Sequence, residues 1–381
     1  MRSVLSIALI LAVTGACLAA DSIQVSRLGK PGDMQMTLYV GDDRATVREV
    51  RPTFLAPGPS QVTFAWTDAD IDPASLRLRA ADGLTIGTVN RVPGDDRAIV
   101  WDVQADRAQA YDLTFEYTMK GLRWRPMYSI VCDPAAGAAE VSSVLQLNND
   151  TRISLEGVKV GLVTGRVGLL DSGSASIPAT IPVSDSLSMD PGWMRTVPFV
   201  GAQKVPAEII YRLDRDKYGD GLQRVLALHL EKSTIPKDLA LPGGRAEVRT
   251  VQGDDPPRIL RTLDLAPKAG ELLEIPLGRE DDVYLERKLI ATDKTSVETD
   301  RYGRISGFDT VEDYRITLRS RLAAPVHCEV LEPVLAAWGL VTKTPPKKTE
   351  GNIATFDLTL TPGEAQVLEL RLTKHSGSRI K

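Results

Sequence analysis

Residues 111–119 read YDLTFEYTM. Leu113, Phe115 and Tyr117 fall on one side of an extended chain, and Thr114, Glu116 and Thr118 on the other. Side chains alternate across a strand with a period of two, so this stretch is expected to be a half-buried antiparallel strand. The pattern repeats upstream. Residues 34–40 (MQMTLYV) lead to the turn Gly41-Asp42-Asp43, and residues 45–51 (ATVREVR) follow, the order of a hairpin. Residues 61–66, 76–79 and 98–103 alternate as well, with Asp82-Gly83 and Gly94-Asp95-Asp96 as turns between them. Downstream, strand text returns at residues 207–213, 224–230, 245–251, 272–277, 314–318, 328–331, 356–360 and 365–372.

Helical periodicity is scarce. No heptad array and no long amphipathic run interrupts these short alternating stretches. The fold class expected is all-β, with two or more antiparallel sandwich-like modules and little helix. A transmembrane barrel fits poorly: aromatic residues are only 5% of the chain, and many strands carry charge on both faces.

The 381 residues suffice for two or three domains. An N-terminal β module is expected over 21–171 and a C-terminal one over 205–373. Between them, 172–204 is rich in Ser and Pro near its start (SGSASIPATIPVSDS) and reads as an exposed loop or linker. Residues 374–381 form a short basic tail, expected to fray.

The first twenty residues read as a cleavable signal peptide. Arg2 supplies the positive start, residues 4–13 (VLSIALILAV) the apolar stretch, and small residues precede Ala19 and Ala20. The chain is therefore expected to be exported, periplasmic or in the cell envelope. Gly15-Ala16-Cys17 also resembles the end of a lipoprotein signal, with Thr14 where an aliphatic residue belongs. Ordinary cleavage is the reading preferred, and a membrane attachment arises only if Cys17 is acylated. Cleavage leaves Cys132 and Cys328, which form one disulfide or remain two buried thiols.

Charge excludes one partner class. Lys plus Arg is 46 against 50 Asp plus Glu, the net charge is -4, and the two signs are interspersed. No basic stripe marks a nucleic-acid binder.

Several segments together resemble a known family. Residues 121–128 (GLRWRPMY) match a G-x-x-W-x-x-x-Y signature, and 145–149 (LQLNN) and 155–165 (LEGVKVGLVTG) continue it. Residues 241–248 (LPGGRAEV), 274–278 (EIPLG) before Val283, 314–318 (YRITL), 330–333 (VLEP) and, upstream, 71–76 (IDPASL) extend it over nearly the whole mature chain. The family is domain-of-unknown-function family 4139, which includes the mucoidy-inhibitor-A-like proteins. The resemblance implies an envelope-associated β protein without an established activity. The coiled-coil arm of longer members is missing here.

Residues that could carry chemistry occur without the spacing that chemistry needs. Asp68, Asp70 and Asp72 have calcium-loop spacing, but Pro73 and Arg79 stand where such a loop needs Gly and an acid, so a solvated turn is expected. His229, His327 and His375 lie far apart in sequence, without zinc-ligand spacing. Glu280-Asp281-Asp282 reads as a hydrophilic turn. No nucleophile elbow, zinc-protease helix or phosphate-binding loop is present. No cofactor is expected.

Arg123-Trp124-Arg125 is the most distinctive patch. A Trp between two arginines suits an anionic glycan or a partner loop. Alternation instead makes Trp124 a core anchor with both arginines outside. The function expected is a non-catalytic envelope protein that binds or scaffolds, its partner an envelope protein or a glycan. The alternative is a hydrolase or carbohydrate-active enzyme with an unrecognised acidic site.

Overall fold

The structure, a computed structural model, describes residues 24–26, 28–39, 43–91, 93–163, 180–237, 239, 241–251, 255–279, 281–335 and 338–380. The expected signal peptide with Cys17, and residues 172–179 of the Ser/Pro-rich segment, lie outside the described residues.

Strand follows strand along the chain. The first nine are β1 (Gln24–Ser26), β2 (Asp33–Tyr39), β3 (Arg44–Leu55), β4 (Gly58–Ala65), β5 (Asp70–Ile71), β6 (Arg77–Arg79), β7 (Leu84–Arg91), β8 (Ala98–Ala105) and β9 (Gln109–Lys120). Then come β10 (Leu122–Asp133), β11 (Ala138–Asn149), β12 (Leu155–Val163), β13 (Thr180–Met189), β14 (Met194–Asp214), β15 (Gln223–His229), β16 (Gly244–Thr250), β17 (Arg258–Leu265) and β18 (Leu272–Arg279). The last are β19 (Val283–Thr299), β20 (Ile305–Ser320), β21 (Val326–Pro333), β22 (Trp338–Thr342), β23 (Lys348–Glu350), β24 (Ile353–Leu360) and β25 (Ala365–Gly377). The all-β expectation holds; among the described residues the helices are a single turn at Arg215–Tyr218 and a 3-10 turn at Leu230–Lys232. Neither is long or apolar enough to cross a membrane.

Two compact units form. The first is residues 1–124 with 147–195, and the second is 125–146 with 196–381. The division differs from two consecutive modules, because the hairpin of β10 and β11 contributes most of its length to the second unit. The segment expected as a loop or linker over 172–204 is also corrected. Its described part is strand, β13 and the start of β14. Many side chains there are exposed on both sides of the strand, so alternation does not mark it, and the backbone ladder carries it.

In the first unit, β1-β4-β8-β7 form one sheet, and β13-β12-β2-β3-β9-β5 with β6 form another. Phe64 of β4 meets Phe115 and Tyr117 of β9 at ring-centroid distances of 4.9 and 5.6 Å, and Trp101 of β8 meets Phe115 at 5.7 Å. These tilted aromatic pairs join the two sheets as a sandwich, and Leu113, Phe115 and Tyr117 are buried as the alternation requires. Antiparallel pairs dominate, while β12 lies parallel to β2 and β1 to β4.

The second unit has a large sheet with two cores. Strands β17-β16-β10-β11-β14-β15-β18 share a cluster that includes Ile130, Val141, Leu226, Val248 and Ile275. Arg261 of β17 donates to the Pro276 carbonyl of β18, so the first and last strands of this series meet and the sheet curls toward a barrel. Strands β14, β21 and β24 then face a second sheet, β19-β20-β25-β22, across Leu213, Val330, Phe356, Leu318 and Leu370. The tail expected over 374–381 is corrected in part. Strand β25 runs to Gly377, and Arg379 is anchored to Asp309.

Candidate binding cleft

One end of the first unit gathers the turns that carry its charge. Gly121 closes the turn from β9 to β10 with φ +91°, a region that other residues rarely adopt; an added Cβ there would lie 3.0 Å from Thr151. Its amide donates to the Asp43 carbonyl at 2.9 Å, and its carbonyl accepts from the Asp150 amide at 2.7 Å. Arg97 donates to the Thr67 carbonyl at 2.9 Å and so ties the two turns beyond β4 and before β8. Between these turns lies a cleft of about 560 Å³. Asp43, Asp68, Asp70, Asp96 and Asp150 supply its acids, and Arg97, Lys120 and Arg152 its cations.

Asn149 fixes one wall. Its side-chain amide donates to the carbonyls of Ile153 (2.9 Å) and Met189 (3.2 Å), and its oxygen accepts from the amide and hydroxyl of Thr151 (3.1 and 2.5 Å). The side chain is fully buried with every polar valence met, so the two loops it joins are held rigidly. Its backbone bonds Trp193 and Gly192 at 3.0 and 2.7 Å. Trp193 therefore stands beside the Asn149–Asp150 corner, and it is 60% exposed.

The patch read from sequence divides here. Trp124 is only 4% exposed, so no ligand can stack on it. Arg123 is exposed and forks onto Asp150, with Nε at 2.8 Å from Oδ2. Arg125 is exposed and donates to Gln146 at 2.6 Å. Alternation along β10 explains the split. Asp70 lines the cleft, while Asp72 caps its own turn by accepting from the Ala74 amide at 2.9 Å. Among the described residues no group of three or more His, Cys, Asp or Glu is arranged to hold a metal ion.

Nothing in the residue pattern singles out Trp193, which follows Asp190-Pro191-Gly192 inside a segment that reads as loop. A large aromatic placed directly after a turn was the available signal. Two histidines missed as a pair meet in the second unit, on the outer face of β15-β14-β21-β24. Glu208 lies 3.8 Å from Nε2 of His229 and 3.2 Å from Nδ1 of His327. His229 also bonds Glu231 at 2.7 Å, an interaction that holds the Glu231 carboxyl below its ordinary range. On the same face Arg212 bridges Glu274 and Glu329, and its bonds to Glu274 lower that carboxyl's pKa despite burial.

The cysteines do not pair. Cys132 belongs to the curled core and Cys328 to the sandwich core; both are free and buried. Burial raises their thiol pKa values to about 11 and about 12, which suits inert core residues rather than nucleophiles.

The chain matches no protein-family model and no curated protein.

Proposed function

We propose that this chain is an exported, non-catalytic module of the cell envelope that binds or scaffolds another macromolecule, as the resemblance to domain-of-unknown-function family 4139 implies. The observation that carries the reading is Trp193. A tryptophan 60% exposed, on a turn whose backbone is bonded to Asn149, the residue before the Arg123-bonded Asp150, is an anchor of the kind that dominates recognition surfaces. Asn149 fixes the turn in advance, so little ordering entropy is lost when a partner closes over the ring. The cleft that Asp150 lines offers both acids and cations to the polar groups of an envelope protein or a glycan.

The test is cross-linking in intact cells with a tagged chain, its partners identified by mass spectrometry, beside Trp193→Ala. A reproducible partner recovered with the parent chain and lost with Trp193→Ala supports the module. Recovery of the chain alone, or of the same partner at the same yield with Trp193→Ala, overturns it.

A further inference from the structure

Strand β19 is 17 residues long, about 50 Å of extended chain, and it pairs with β20, which pairs in turn with β25. The sandwich core reaches only part of this length. Outward from the rung that joins Lys294, Thr310 and Lys374, no apolar side chain is buried. A three-stranded ribbon without a core is marginal unless something else holds it.

Ionic contacts hold it. The buried Asp309 accepts from Arg379 Nη2 at 2.8 Å and Nε at 3.1 Å, and lies 2.5 Å from Nδ1 of His375. Arg379 also reaches Glu298 at 3.3 Å, and Ser378 donates to Glu298 at 2.7 Å. At the tip, Asp300 closes the loop by accepting from the amides of Tyr302 and Arg304 at 2.8 and 3.0 Å. Gly303 sits there at φ +75°, so the turn is fixed before any partner arrives.

This fixed loop displays apolar groups. Tyr302 and Ile305 are each 65% exposed, and Val297 and Ile380 are exposed nearby. The guanidinium carbons of Arg301 and Arg304 lie 4.8 and 5.2 Å from the Tyr302 ring centroid. The acids of this end, Glu298, Asp300 and Asp309, are each bonded to an arginine of the same end. Among the described residues the end carries five cations (Lys294, Arg301, Arg304, Lys374, Arg379) against those three acids, within a chain of net charge -4. A basic, apolar tip on an acidic protein is a local reversal of charge.

We propose that the tip of this arm seats on an anionic phospholipid surface. Tyr302 and Ile305 enter the headgroup layer, and Arg301 extends from beside the ring to the phosphates, while Arg304 stays on Asp300 behind it. An amphipathic ring flanked by arginines is matched to that interface, where apolar area and lipid charge both contribute. The apolar groups stand exposed on the turn that ends the ribbon, where a yielding lipid layer can reach them. This tip lies in the second unit, and Trp193 in the first.

The experiment is co-sedimentation of the purified exported chain with vesicles of mixed phosphatidylglycerol and phosphatidylcholine, and with phosphatidylcholine alone. Binding is expected with the anionic vesicles only. The double variant Tyr302→Ser, Ile305→Ser should weaken it about tenfold or more. Arg301→Ala, which touches no core, should weaken it about fivefold. Phe54→Ser removes an apolar side chain of the same 65% exposure from the first unit and should leave binding unchanged. Absence of binding, equal binding to neutral vesicles, wild-type binding by the tip variants, or an equal loss with Phe54→Ser overturns the proposal.

Discussion

Nε2 of His327 lies 2.6 Å from Oδ1 of Asp357. Lys347 takes the other oxygen of the same carboxylate. Burial pushes the Asp357 carboxyl up, but Lys347 and His327 outweigh it, and the group titrates below its ordinary value. A carboxyl with a depressed pKa in the folded chain contributes stability above its unfolded pKa and loses it as pH falls through the folded one. Glu274 and Asp313, each forked by an arginine, are lowered likewise. The chain should therefore lose stability steeply below about pH 4. Asp357→Asn should cost up to about 1 kcal/mol near neutrality and flatten that acid limb. Urea midpoints across a pH series check this; identical acid limbs for parent and variant would count against the assignment.

Glu332 is 2% exposed and its partner Arg287 donates to it at 2.6 Å while lying over the Tyr314 ring at 3.5 Å. The pair is sealed between β19, β20 and β21, where an uncompensated charge has no water to turn to. Arg287→Met should cost about 3–5 kcal/mol, because it strands the carboxylate. The double variant Arg287→Met, Glu332→Leu should recover most of that loss, since a well-packed apolar pair can replace a buried ion pair. Denaturant unfolding of the three chains gives the cycle. A double variant as unstable as the single would show that the ions contribute more than their mutual neutralisation.

Legibility in the sequence followed local pattern and stopped where pairing became non-local. The alternation at residues 111–119 is a statement about one strand and its two faces, and it survives as β9 with Leu113, Phe115 and Tyr117 buried. Strand β13 and the first part of β14 have few buried residues on either side, so they read as loop. His229 and His327 are 98 positions apart in the numbering, and only the order β15-β14-β21 sets them on either side of Glu208. Trp193 was hidden for the same reason: its position depends on the backbone bonds to Asn149, which no spacing rule encodes.

Trp124 separates packing from recognition. Its ring is buried, and its Nε1 has no hydrogen-bond partner, so replacing it removes no polar contact. Trp124→Ala should cost about 3–5 kcal/mol through the cavity it leaves, and Trp124→Phe about 1–2 kcal/mol. At a temperature where it stays folded, Trp124→Phe should recover the same cross-linked partner as the parent. Loss of that partner with Trp124→Phe would return recognition to this residue.

Cys132 and Cys328 test whether the two cores of the second unit are closed. Each thiol lies in its own apolar cluster and has its pKa raised by burial, to about 11 and about 12, so thiolate is scarce and reagents find no path to it. The folded chain should react with a small alkylating reagent only as fast as it opens, and both thiols should label at once in denaturant. Mass spectrometry of partly labelled samples distinguishes the sites. Should the second unit open as one body, the two thiols label together; if the sandwich opens alone, Cys328 labels first. Rapid native labelling of either, or a disulfide between them in the purified chain, would contradict the packing of these cores.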